Sequence, residues 1–440
     1  MTANMMQACA KRPIASALAA FRQLSRCSGR PTGYIPRGVP VVAVEDECRI
    51  QLMGRRSYSS HKRESLPLAA AVARLHSRAV LVLSGPDAAR YLQGAITANV
   101  QPLRPEHQSD QDSASKPLHL QSPFFSAFLN PQGRVLNDVF IYPFTSSRIA
   151  NDEQGFVRAE AGSVDEERGP DLSFLIDVDA AEAENLRKWI GKYRLRSRFD
   201  VAKLPSWGVW QRWGDLGSRE PHEGFPFHSE VITCIDKRSE GMGLRAVAPP
   251  SASAVDREFV TPSSETAYTV RRYLRGIPEG QKEILPGQAL PLESNLDIMS
   301  AIDFRKGCYV GQELTIRTKH IGVVRKRILP LVLGSQAQSL GEGGGSETPY
   351  YDEESGVQLP AAGSDMRRVG ARGRQASGGK FLAGIGNIGL GLCRLDVLRG
   401  NQSSTDAADN PGGSPLIIEP DTQVRAWRPE SWPSLGGQLG

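Results

Sequence analysis

The stretch Lys306-Gly307-Cys308-Tyr309-Val310-Gly311-Gln312-Glu313 sets a cysteine between two glycines and follows it with an amide and a carboxylate. Arg305, Arg317, Lys319, His320, Arg325, Lys326 and Arg327 lie close by, and Glu313 is the sole acid between Arg305 and Arg327. Nearby cations stabilise an anion, so this thiol is expected to favour the thiolate, the form that attacks electrophiles and ligates soft metals. The flanking glycines permit turn conformations and leave the sulfur uncovered. Nothing else in the chain completes a nucleophilic or metal constellation. There is no GxSxG elbow and no CxxC pair, and the seven histidines show no metal-ligand spacing. No catalytic residue is therefore assigned. Cys234 and Cys393 sit in apolar, strand-like runs and read as buried, inert thiols.

The chain that must position this loop has 440 residues, enough for two or three domains, with 40% hydrophobic content and a net charge of +5. Much of the positive charge lies near the N-terminus, so composition does not point to nucleic acid. No run approaches the roughly 18 apolar residues of a membrane span. Residues 1 to 44 carry Lys11, Arg12, Arg22, Arg26, Arg30 and Arg37 without one acid. That is the composition of a mitochondrial transit peptide. Arg55-Arg56-Ser57-Tyr58-Ser59-Ser60 resembles a matrix processing site, so 1–58 is expected to be a disordered leader removed after Tyr58. A mature chain would keep Cys234, Cys308 and Cys393 in a reducing compartment.

Ordered sequence is expected from about Leu66. Arg78 to Asp87 reads as a strand ending in a turn, with Asp87 placed to cap a helix over Ala88 to Gly94. Residues 126–142 read as a β-hairpin around Asn130-Pro131-Gln132-Gly133. Leu172 to Asp177 predicts a strand, and Ala183, Leu186, Trp189 and Ile190 recur at helical spacing. Arg194 to Asp200 and Ser206 to Gln211 are further strand candidates. Asp236 to Arg245 reads as strand-turn-strand, and Tyr268, Arg271 and Leu274 share one face of a short helix. Single helices alternating with strands predict an α+β class.

In this order, with Gly276-Ile277-Pro278-Glu279-Gly280, Leu290 to Asp297 and the KGCYxGQE string, the chain resembles the glycine-cleavage T-protein superfamily. The string is closest to its branch of folate-binding iron–sulfur maturation proteins, the YgfZ type, and the leader points to the mitochondrial members. The resemblance covers Arg78 to Arg327 well. It implies a T-protein-like folate-binding fold of two α/β subdomains, roughly 66–170 and 171–327, then a small C-terminal β-barrel over 328–440. It implies an accessory role in maturing [4Fe–4S] proteins of the aconitase and lipoyl-synthase type in the mitochondrial matrix. Tetrahydrofolate would sit in a pocket including Asn137, Asp138, Arg245, Tyr268 and Arg271. Cys308 would ligate a bridging Fe–S cluster shared with an A-type scaffold partner, since one thiolate cannot hold a cluster that usually takes four protein ligands. Lys306 and Arg317 would favour the thiolate, and Gln312 and Glu313 would fix the loop or hydrogen-bond the ligand sphere.

One departure is visible. The superfamily's aminomethyltransferases carry two adjacent acids after the hairpin glycine run and use the first; here Gly133-Arg134-Val135-Leu136 is followed by Asn137-Asp138. An amide cannot serve as that carboxylate. A folate-dependent aminomethyl transferase is therefore the alternative reading, and a ligand-free interaction scaffold a second. Past Arg327, Ile328 to Leu333 reads as a strand, 334–380 as a flexible insertion, Phe381 to Leu398 as strands and 401–414 as a second flexible insertion.

Overall fold

The computed structural model describes residues 70–100, 122–145, 172–214, 231–249, 261–334, 349–369, 375–398, 416–418 and 422–433. The expected leader and the 401–414 loop lie outside them. The chain runs β1 (Ala71–Arg74), β2 (Arg78–Ser84), α1 (Ala88–Ala95), β3 (Phe124–Leu129), β4 (Val135–Thr145), β5 (Leu172–Asp179) and α2 (Ala183–Lys192). It continues through β6 (Asp200–Leu204), β7 (Gly208–Trp213), β8 (Ile232–Ile235), β9 (Leu244–Ala248), β10 (Thr261–Pro262), α3 (Glu265–Leu274) and α4 (Gln312–His320). The last part holds β11 (Lys326–Leu333), β12 (Asp365–Val369), β13 (Gln375–Ile385), β14 (Ile388–Arg394), a 3-10 turn at Leu395–Leu398, β15 (Leu416–Ile418) and β16 (Thr422–Ala426).

Two five-stranded sheets, ordered β10-β1-β7-β9-β8 and β3-β4-β5-β2-β6, precede a closed barrel ordered β11-β14-β13-β12-β15-β16. Strand alternation builds the layers. On β2, Val80 and Val82 join Phe140 and Tyr142 of β4 and Trp213 of β7 in the core between the sheets. Leu81 and Leu83 face the other way, under α1 and α2, with Val139 and Ile141. α3 starts at an N-cap, Ser264, whose side chain accepts from Ala267 N, and its Val270 and Leu274 pack on the barrel beside Ile328 and Leu390.

Several elements depart from the sequence reading. β2 pairs with both β5 and β6, so residues 172–204 complete the sheet begun by 78–145, and the two sheets are not divided at residue 170. Within 334–380, expected to be an insertion, β12 and the start of β13 are barrel strands. Among the described side chains of β12 Met366 alone turns fully inward, while the backbone pairs with β13 and β15. Arg194 to Ser197 is a turn and not a strand, with Leu195 at a positive φ of 51°. Asp87 makes no side-chain cap bond; its carboxylate instead accepts the backbone N–H of Arg198 at 2.8 Å.

The inter-sheet core also holds a lattice of ions. Arg78 Nε lies 2.6 Å from Asp177 Oδ1, and Arg78 Nη1 lies 3.2 Å from Asp138 Oδ2. Arg245 spans Asp177 at 2.6 Å and Glu279 at 3.0 Å. Arg238 spans Glu279 at 2.6 Å and Asp236 at 2.7 Å. Arg272 pairs with Glu283 at 2.8 Å, and Glu283 also accepts the backbone N–H of Glu279. Tyr268 OH donates to Glu279 at 2.8 Å and accepts from Arg238 and Arg245. Burial opposes the Glu279 charge, but the surrounding arginines overcome it and hold the carboxyl well below the ordinary glutamate value of 4.5. Glu279 thus contributes stability that is present above the unfolded value and lost as pH falls through the lower folded one. Glu279→Gln leaves buried guanidinium charge uncompensated and is expected to cost about 3 kcal/mol. Urea unfolding at neutral pH should show that loss, and a series from pH 6 downward should show a shallower acid destabilisation than wild type below about pH 4.5.

Candidate functional site

The cysteine loop is assembled from the segment that leaves the ion lattice. After Glu283, Gly287 N donates to Val135 O at 2.7 Å and Val135 N donates to Ala289 O at 2.9 Å, stitching this segment to the hairpin. Arg134 reinforces the join by donating to Gln288 O. Asn295, at a positive φ of 62°, donates through Nδ2 to Ile328 O at 2.7 Å, tying the segment to the first barrel strand. Residues 301–310 then lie along the end of α1. Thr97 Oγ1 donates to Ala301 O at 2.6 Å, Asp303 N donates to Thr97 O, and Val310 N donates to Gly94 O.

Gly311 and Gly133 explain how the loop seats on the hairpin turn. Both have positive φ, 77° and 79°, and each lies where a Cβ would strike the other's surroundings. A Cβ on Gly133 would lie 2.8 Å from Gly311 O, and one on Gly311 would run into Asn130 O. Only glycine allows both the backbone angle and this approach. Gly311 is also the N-cap position of α4.

Lys306, Tyr309 and Gly311 each have a structural partner while Cys308 stays exposed. Lys306 Nζ donates to Ile96 O and Ala98 O, both at 2.7 Å, and lies 5.0 Å from the Tyr309 ring centroid. Burial pushes this amine down to about 8. Lys306, expected as a counter-charge for the thiolate, is thus a brace pinned to carbonyls. Tyr309 is buried in the inter-sheet core, and Gln312 Oε1 accepts its backbone N–H at 3.3 Å. Glu313 is exposed in the first turn of α4, and Arg317 follows in its last turn, roughly 7 Å beyond Gln312 at 1.5 Å per residue. Gly307 has nothing within 4 Å of where a Cβ would be, which leaves the approach to the sulfur open. Burial pushes the thiol of Cys234 up to about 12 and raises that of Cys393 further.

The five residues expected to line a folate pocket do not converge on one space. Asp138, Arg245 and Tyr268 meet in the ion lattice. Asp138 Oδ1 already accepts from Gly280 N at 3.0 Å and Gln281 Nε2 at 3.2 Å, and its Oδ2 accepts from Arg78. Asn137 follows the opposite face of β4 with Val139 and Ile141, and its buried Nδ2 has no partner among the described residues. Arg271 turns to Gly241 O and lies over Trp213. The three that meet are largely engaged with one another, though Arg245 Nη2 is buried without a partner among the described residues, and Asn137 and Arg271 stand apart from them. The lattice residues Arg78, Asp177, Asp236, Arg238, Arg272, Glu279 and Glu283 were missed by sequence reasoning; their signal was only an unusual density of arginine and acid in runs otherwise apolar.

Comparison with known proteins agrees with this architecture. The CAF17 C-terminal beta-barrel domain family matches residues 325–434, the span of the closed barrel. The iron–sulfur cluster assembly factor IBA57 homolog of Aspergillus oryzae, a mitochondrial protein, is 40% identical over 363 residues, covering 78% of this chain and 75% of the relative. Its counterpart from Chaetomium globosum is 43% identical over 354 residues, covering 75% and 72%. The crystal structure of the glycine cleavage system aminomethyltransferase T from Bartonella henselae superposes with a TM-score of 0.53 at 12% identity, covering 82% of this chain and 86% of that one, which shows the shared fold. A T-protein-like α+β body, a CAF17-type barrel and this identity over three quarters of the relatives' length place the chain, a mitochondrial protein, in the IBA57 iron–sulfur cluster assembly factor family.

Proposed function

We propose that the protein is an accessory factor in mitochondrial iron–sulfur cluster assembly, serving [4Fe–4S] enzymes of the aconitase and lipoyl-synthase type in the matrix. Cys308 lends one thiolate to a cluster held jointly with an A-type scaffold partner. The observation that carries this reading is the braced but open presentation of Cys308, while Cys234 and Cys393 are buried. Among the described residues no group of three or more His, Cys, Asp or Glu is placed to hold a metal. A cluster usually takes four protein ligands, so the remaining ligands come from another chain. The cluster is cargo: Cys308, exposed to water, gives its proton to solvent as its sulfur takes a coordination position on iron, and takes one back when the cluster moves on. Lys306, Tyr309 and Gly311 keep the sulfur in place during that exchange.

Tetrahydrofolate, implied by the superfamily resemblance, takes no step in this mechanism; three of its expected residues, Asp138, Arg245 and Tyr268, are engaged in the lattice. Aminomethyl transfer is disfavoured by Asn137, which offers a buried amide in place of a carboxylate.

Two measurements test the reading. On a chain beginning at Ser59, a mild thiol reagent at pH 8 is expected to modify one cysteine rapidly, Cys308, and two more only after unfolding. Anaerobic reconstitution with an A-type scaffold should give a cluster absorption band that Cys308→Ser abolishes. In cells, Cys308→Ala should reduce aconitase activity and protein lipoylation to the level seen without the protein; unchanged values sink the proposal.

A further inference from the structure

The end of α4 carries an arrangement that loop support does not explain. Ile321 is 85% exposed and Val323 58% exposed, the most exposed pair of apolar side chains close together in sequence among the described residues. They are held outward by a tight turn: Ile321 N and Gly322 N both donate to Arg317 O, and a Cβ on Gly322 would lie 2.9 Å from Thr318 Cα. Beside them opens a cavity of about 320 Å³ lined by Leu290, Leu314, Thr318 and Val323, with Glu293 and Lys326 at its polar side. Arg325 and Lys326 line it, and Arg305, Arg317 and Lys319 are exposed in the cysteine loop and α4, none in an ion pair with a described carboxylate; Glu313 is the one exposed acid between Arg305 and Lys326.

We propose that Ile321, Val323 and the adjacent cavity form the docking surface for the protein that completes the Cys308 site, and that this partner presents an apolar side chain ringed by Asp and Glu. The proposal rests on the reading of Cys308 as half of a shared site. Cys308 and this surface are rigidly linked, because α4 begins at Gln312 and the Ile321 turn closes it. They lie at opposite ends of this helix, roughly 14 Å apart along its axis, a separation that one partner of ordinary interface size spans. Charge selects the occupant: two copies of this surface and its flanking helix would set an excess of cations against an excess of cations, whereas an acidic face complements them and is steered in. The cavity selects further, since a recess of this size accepts one large apolar side chain and a lipid headgroup layer would leave it unfilled.

The test uses reduced, cluster-free A-type scaffold protein as probe, with binding kinetics followed at low and at high salt. Ile321→Glu with Val323→Glu should weaken binding at least tenfold, mostly through faster dissociation. Lys319→Glu with Arg325→Glu should slow association and flatten its salt dependence. Both variants alter exposed side chains, so their melting temperatures should match wild type. Unchanged affinity overturns the proposal, as does failure of wild type to bind. Loss seen instead in cosedimentation with anionic vesicles or in self-association overturns it in favour of a lipid or homomeric surface. Cys308→Ser separates the two claims. It should keep binding of the cluster-free probe while losing the cluster band. A Cys308→Ser protein that retains the band refutes the shared cluster, and a tenfold loss in the Ile321/Val323 variant would then still support the surface.

Discussion

The carboxylate of Glu279 joins three parts of the molecule that the chain keeps apart. It receives Arg245 from one sheet, Arg238 from the turn before β9, and the hydroxyl of Tyr268 from α3. Asp177 repeats the pattern by pairing Arg78 of its own sheet with Arg245 of the other. Arg238 and Arg245 lie 4.8 Å and 4.6 Å from the Phe140 ring centroid, so aromatic faces take up part of the charge that water would have solvated. A buried ion pair gains little over a well-packed apolar one, but losing one partner is expensive. Such a lattice enforces one arrangement of the sheets more than it adds to stability. It also fixes Gly276 to Glu283, the start of the segment that ends in the cysteine loop.

From there the constraint passes along backbone bonds. The segment pairs with the hairpin at Val135, anchors to the barrel through Asn295 and to α1 through Thr97, and ends at Gly311 against the hairpin turn. The loop holds its place without using the sulfur, which explains how a residue can be both well positioned and exposed. Lys306 is the clearest instance, because its charge is spent on two carbonyls. The positive-φ residues Asn295 and Ser300 lie on the same path and mark where the chain bends sharply to reach the rim.

Most elements were legible in the sequence because alternation and helical spacing are local signals. The hairpin, β2 with α1, α2, α3, β11 and β14 follow from them. The Cys308 loop was legible through its glycines and cations. The lattice was not: Arg78 and Asp177, or Arg245 and Asp177, lie far apart in sequence, and charged residues read as solvated faces until the fold brings them together. α4 gave no apolar stripe because only Thr315 is buried on it, its outer faces being left to solvent. β12 hid inside an apparent insertion because closing a barrel needs backbone pairing more than apolar side chains.

The proposed single ligand, Cys308, would have a consequence for how the protein acts. A chain that supplied all four ligands would bind the cluster tightly and compete with its destination. A chain that supplies one holds the cluster only while its partner is docked, and on separation the cluster leaves with whichever protein offers more ligands. Under that proposal the direction of transfer would depend on the order of association, which the proposed docking surface at the far end of α4 would control and the sulfur would not. Exposure of the cysteine and stiffness of its loop would then be two halves of one requirement: on the proposed reading the thiolate has to reach iron across an interface without drawing the loop away from its supports. The lattice, the paired glycines and the Lys306 brace meet that requirement from the side of the fold, and they leave ligand exchange as the one step that can move.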